Sequence, residues 1–90
     1  MILEHEIIEQ IEEEPVGRSL EWCVEFATGL GCPEPWTTLR QMWRAGYIAL
    51  ADAEGQILPE WRIEEVWRAG VARSDVAVLA TDLGSTWAYS

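Results

Sequence analysis

At 90 residues the chain is sized for one domain. Its sixteen Asp and Glu face six Arg and no Lys, a formal net charge of −10, which repels phosphate backbones and attracts basic partners. An apolar fraction of 49 % argues against disorder, and no apolar run approaches the roughly 18 residues of a membrane span.

The charge is unevenly placed. Residues 1–34 hold nine Glu and one Arg, whereas residues 35–90 hold seven acids, five Arg and five of the six Trp. The N-terminus has no basic segment ahead of an apolar run, so no secretory signal is expected and the chain reads as cytoplasmic. Residues 2–13 fit an amphipathic helix, with Leu3, Ile7 and Ile11 on one stripe and Ile8 at its edge. Glu6, Glu9, Glu12 and Glu13 take the other face. Glu12 to Glu14 would crowd the negative end of the helix dipole, which favours fraying or a basic partner there. Pro15 and Gly17 close this acidic N-terminal helix, which spans at most residues 2–14.

Ser19 is a suitable N-cap for a second helix over 20–28. Leu20, Cys23, Val24 and Ala27 form its core face, and Trp22 and Phe26 share the other side with Glu21 and Glu25. A third helix, roughly 35–45, opens on Pro35 and directs Trp36, Leu39, Met42 and Trp43 inward. Tyr47 to Ala51 reads as a strand, and Asp52 to Gly55 as a turn. A fourth helix, 60–69, presents Ile63, Val66 and Trp67 to the core and leaves Trp61 outside. Val76 to Thr81 reads as a second strand, followed by a short turn or helix. The expected fold is α+β, mostly helical, with a two-stranded antiparallel hairpin pairing residues near 47–51 with residues near 76–81.

Thr37-Thr38-Leu39-Arg40-Gln41-Met42-Trp43-Arg44-Ala45-Gly46-Tyr47-Ile48 resembles the recognition helix of a winged helix-turn-helix domain running through a Gly into its first wing strand. Val76-Ala77-Val78-Leu79-Ala80-Thr81-Asp82-Leu83-Gly84 resembles the returning strand with a terminal turn. The resemblance covers residues 19–86, with the acidic helix preceding this body in a single domain of residues 1–90. It implies a DNA-contacting face at Thr37, Arg40, Gln41 and Arg44, since Arg and Gln can read guanine and adenine edges. Two departures stand against that role. About twenty residues interrupt the wing, and six Arg against sixteen acids offer little phosphate neutralisation.

The residues point more strongly to a protein contact. Trp22 and Phe26, ringed by Glu21 and Glu25, have the anatomy of an interface anchor, and Glu9, Glu12, Glu13 and the outward Trp61 extend the candidate surface. The expected function is a non-catalytic, acidic protein-binding module. It would dock on a basic surface of a nuclease or nucleic-acid-binding protein, as immunity proteins and phage-encoded, anti-CRISPR-like inhibitors do, its carboxylates standing in for phosphates. Two alternatives remain. One is a winged-helix transcriptional regulator using Arg40 and Arg44. The other is a dimerising scaffold that buries the first helix against a copy of itself. No nucleophile has an arguable base partner, and His5, Cys23 and Cys32 match no zinc-site spacing, so neither catalysis nor a metal or other cofactor is expected. The two cysteines read as reduced core thiols, with a bridge across the Gly29–Gly31 turn left open.

Overall fold

The computed structural model describes residues 3–70 and 74–89. Ile2 of the expected first helix and Arg73 lie outside the described residues. In chain order run α1 (Leu3–Glu12), β1 (Arg18–Ser19), α2 (Leu20–Gly29), α3 (Pro35–Arg44), β2 (Ile48–Ala51), α4 (Glu60–Ala69), β3 (Ala77–Ala80) and α5 (Asp82–Ala88). The α+β class stands, with a larger sheet than expected. The three strands are antiparallel in the order β1-β3-β2.

The expected pairing of the two apolar runs is observed, in register from Ile48 opposite Ala80 to Ala51 opposite Ala77. The third strand, β1, pairs Arg18 with Val78 and Ser19 with Ala77. Two residues carry no alternating pattern, so β1 has no signature in the sequence. What admits it is Gly17, at φ 78°, where a side chain would overlap the Val78 carbonyl. Only a backbone without Cβ can lie this close to β3 in this conformation.

Helix ends follow local chemistry. Ser19 caps α2 by accepting a hydrogen bond from the Trp22 N–H at 3.1 Å. Gly46 follows α3 at φ 85°, and Gly70 closes α4 in the left-handed conformation. α1 stops at Glu12, so Glu13 and Glu14 fall beyond its carbonyl end, as the dipole conflict favours. Between β2 and α4, the Asp52 carboxylate accepts from the N–H groups of Glu54 and Gln56 at 2.9 and 3.0 Å. The chain thereby reverses so that Leu58 N–H reaches the Leu50 carbonyl at 2.9 Å.

One residue run changes meaning. Thr81-Asp82-Leu83-Gly84 resembled a terminal turn, yet it is the capped start of α5. The Thr81 hydroxyl accepts from the Gly84 N–H at 3.0 Å and donates to the Gly46 carbonyl. The Thr81 N–H donates to the Tyr47 carbonyl at 3.1 Å. Gly84 is buried so closely against Tyr47 that a Cβ would overlap its backbone.

A single core joins the layers. Ile7, Ile8 and Ile11 of α1 are at most 1 % exposed, so Ile8 belongs to the stripe rather than its edge. α1 packs on α5, β3 and α2, which leaves it no apolar stripe to bury against a second copy. Leu39, Met42, Ile63, Val66 and Trp67 share this core, with Trp36 and Trp43 packed against it. Trp67 meets both, its ring centroid 6.1 Å from Trp36 and 6.2 Å from Trp43. Trp67, 7 % exposed, is therefore the most buried of the three and the one whose truncation opens a cavity.

Trp67→Ala should lower unfolding stability by about 3–5 kcal/mol in urea denaturation, with a smaller loss for half-buried Trp43→Ala. Gly84→Ala should cost about 1–3 kcal/mol through forced overlap with Tyr47. Gly29→Ala, on an open helical position, should be neutral or stabilising by up to about 1 kcal/mol.

Candidate partner-binding surface

The capped start of α2 places Trp22 and Phe26 one helical turn apart on one side. Their rings stack at 4.9 Å between centroids with planes 10° apart. Both are half-buried, with their inner edges on the core, while Glu21 and Glu25 are exposed. The sequence phase that set these rings opposite the core face was therefore half right. They pack on the core and still present a face to solvent.

Arg18, in β1, precedes Trp22 by four residues. Its guanidinium carbon lies 4.3 Å from the Trp22 ring centroid. The same side chain donates from Nε to the Gln10 carbonyl at 3.4 Å and reaches the Glu14 carboxylate at 3.6 Å. Arg18 thus ties the aromatic column of α2 to the acidic end of α1, and nothing in the sequence marked it for that task. A partly exposed ion pair of this length contributes little energy, so its effect is chiefly orientation. Beyond Phe26, a groove of ≈ 430 Å³ is lined by Trp22, Glu25, Phe26, Gly29 and Leu30. Leu30, 40 % exposed, is a member that the sequence reading passed over.

On α1, Glu12 and Glu13 are exposed and Glu9 is half-buried. Tyr89, 63 % exposed, follows α5 beside them. Local desolvation of its hydroxyl raises the Tyr89 pKa, and the charges of Glu12, Glu9 and Glu13 add to it. This aromatic neighbour of the acidic cluster is 76 residues or more away from it in sequence and becomes visible only once α5 lies on α1. Among the described residues, the ion pairs are Arg18–Glu14 and Arg40–Glu64, so Glu9, Glu12, Glu13, Glu21 and Glu25 form none.

The remaining candidates lie elsewhere. Trp61 is 63 % exposed, as its phase required, but it stands on α4, which packs on α3 through the tryptophan cluster. Of the face expected to read DNA, Thr37, Gln41 and Arg44 are exposed. Arg40 is half-buried and engaged with Glu64 of α4 at 3.2 Å. Arg62 borders a hollow shared with Asp52, Glu54 and Asp75. Of the arginines of the second half, Arg40 and Arg62 thus have acidic neighbours.

The residues weighed for catalysis or metal take structural positions. His5 of α1 sets its ring edge-on to Trp87 at 4.3 Å, and Trp87 stacks on Tyr47 at 4.1 Å. Cys23 and Cys32 are free thiols. Burial pushes the Cys23 thiol up to about 12 against the opposing charge of Arg18, which makes it a poor nucleophile at neutral pH. Cys32 meets the Thr38 hydroxyl at 3.3 Å. Among the described residues no group of three His, Cys, Asp or Glu is placed to hold a metal ion, and no helix is long and apolar enough to cross a membrane.

Comparison with protein-family models, with curated proteins and with solved structures finds no match.

The contact between Tyr89 and the acidic cluster has a titration signature. Tyr89 should deprotonate above the ordinary tyrosine value of 10.0. Glu12→Gln should move its midpoint back toward that value, read from tyrosinate absorbance against pH. An unmoved midpoint would separate Tyr89 from the cluster.

Proposed function

We propose that this chain is a non-catalytic protein-binding module whose α1–α2 side docks on a basic surface of a partner. The observation that carries the reading is the coincidence, among the described residues, of unpaired carboxylates with aromatic rings that present a face to solvent on neighbouring elements. Glu12 and Glu13 adjoin Tyr89, and Glu21 and Glu25 border the Trp22–Phe26 stack, with Arg18 linking the two helices. Carboxylates without intramolecular partners repel one another, and a basic surface relieves that repulsion on contact. Rings that are half-desolvated in the free domain supply short-range attraction that charge in water does not. The partner class suited to such a surface is a protein with a phosphate-binding site, such as a nuclease or another nucleic-acid-binding protein. In that setting the module acts as an immunity protein or a phage inhibitor does, by occupying the site that phosphates would enter.

A regulator binding DNA through α3 is the second reading. The exposure of Thr37, Gln41 and Arg44 favours it, as does the pairing of β2, which follows α3, with β3, although α4 stands between the two strands. The net charge and the engagement of Arg40 by Glu64 oppose it.

Capture of the partner from the native host, followed by association kinetics at two salt concentrations, tests the first reading. Trp22→Ala should raise the dissociation rate by about 30-fold, the equivalent of about 2 kcal/mol, with little change in association. Glu12→Gln with Glu13→Gln should slow association and flatten its salt dependence, because exposed charges act over a screening length of about 8 Å. The second reading predicts instead a shift of duplex DNA at physiological salt that Arg44→Ala abolishes, and the first predicts none.

A further inference from the structure

We propose that the groove at the C-terminal end of α2 receives an arginine side chain of the basic partner, its guanidinium stacked on the open side of Phe26 and paired with Glu25. The inference rests on the docking reading above and names the chemistry that its aromatic column selects.

Trp22 and Phe26 stand one turn apart on α2 and stack; Arg18, in β1, lies over Trp22, and Leu30, the C-cap, borders the groove beyond Phe26, so contacts set the four in file. The chain itself fills the first place of this file with a guanidinium, 4.3 Å from the Trp22 ring centroid. Trp22 and Phe26 follow in nearly parallel planes. The place after Phe26 is a groove of ≈ 430 Å³ bordered by Glu25, Gly29 and Leu30. It stays open because residue 29 has no side chain, and a Cβ built there meets nothing within 4 Å. An aromatic floor, a carboxylate at the rim and an aliphatic wall match the three parts of an arginine: planar cation, hydrogen-bond fork and methylene stem.

Charge complementarity identifies the occupant. An apolar side chain would fill the groove while leaving the Glu25 carboxylate unpaired beside it. A lysine would bring a compact, strongly hydrated ammonium that cannot lie flat on a ring and donate in its plane together. The guanidinium does both, and Arg18 on Trp22 is an instance of the same contact within this chain. Gly29 also gives the groove a selective test. Its backbone has no positive φ, and glycine in a helix is less favourable than a residue with a side chain, so Gly29→Leu fills the groove without straining the fold.

The experiment is calorimetric titration of the full chain with an all-arginine peptide and an all-lysine peptide of equal length. Amide chemical shifts of Phe26, Gly29 and Leu30 give the location. The wild-type chain should bind the arginine peptide about fivefold more tightly, with the shifts of these three residues moving. Gly29→Leu, shown folded by its melting temperature, should bind both peptides equally. Glu12→Gln with Glu13→Gln should weaken both peptides alike and leave their ratio unchanged. Equal affinities for the wild-type chain, or an arginine preference that survives Gly29→Leu, would overturn the arginine groove while the wider docking reading stands. Failure of both peptides to bind would overturn both.

Discussion

Strand β3 is hydrogen-bonded along both edges, to β1 on one side and to β2 on the other. Its position sets that of nearly every other element. Through β1 it holds Arg18, and the next residue caps α2, so the register of β3 determines where the aromatic column of α2 begins. Through Thr81, which follows it directly, β3 passes into α5 while remaining bonded to the Gly46 and Tyr47 carbonyls. α5 then lies against α1 and brings Tyr89 to the acidic cluster. Two glycines make the arrangement possible. Gly17 and Gly84 stand where a side chain would collide with the backbone of Val78 and of Tyr47. Each marks a backbone approach that would have to open if a Cβ were added.

The distribution of charge follows from the packing. The isoleucines of α1 are consumed by the core, so its polar face is committed to solvent, and that face is almost wholly glutamate. The six arginines do little to offset it. Arg18 is drawn to Glu14 and Trp22, and Arg40 to Glu64. Like charges held together on a small domain oppose the compact state, and the opposition weakens with salt. A surface kept in this condition is better suited to meeting an opposite charge than to stabilising its own fold. The same features limit the DNA reading. α3 retains Arg44 and Gln41 on its open face, but Arg40 is already bound, and the field of the whole chain is negative.

The helices were legible because each carried a strong local signal. Ser19, Pro35 and Gly70 mark their ends through capping and backbone preference, and the apolar spacing of Ile63, Val66 and Trp67 determines the phase of α4. The apolar runs of β2 and β3 announced themselves and their pairing. β1 did not, because two residues define no period and its existence depends on a partner 58 to 60 residues away. The sequence left the segment after Thr81 open between a turn and a helix for a related reason. A threonine before Asp-x-Gly is compatible with a turn or with a helix cap, and the choice was made by packing against Tyr47. Of the candidate surface, Trp22, Phe26 and their glutamates were visible as an aromatic pair among acids. Arg18, Leu30 and Tyr89 were not, since a lone residue acquires significance only from what folding places beside it.

The amino-acid sequence by itself determined the number and approximate bounds of the long helices, the acidity of the N-terminal third and the absence of basic residues to compensate it. These are local or additive properties, set by side-chain chemistry and by intervals of three or four residues. The tertiary structure alone decided which carboxylates would stay unpaired, which arginine would cover Trp22, which tryptophan would be sealed between α3 and α4, and which tyrosine would join the acidic cluster. Those outcomes depend on contacts between residues far apart in the chain, whose energies arise only when β3 has drawn the elements together.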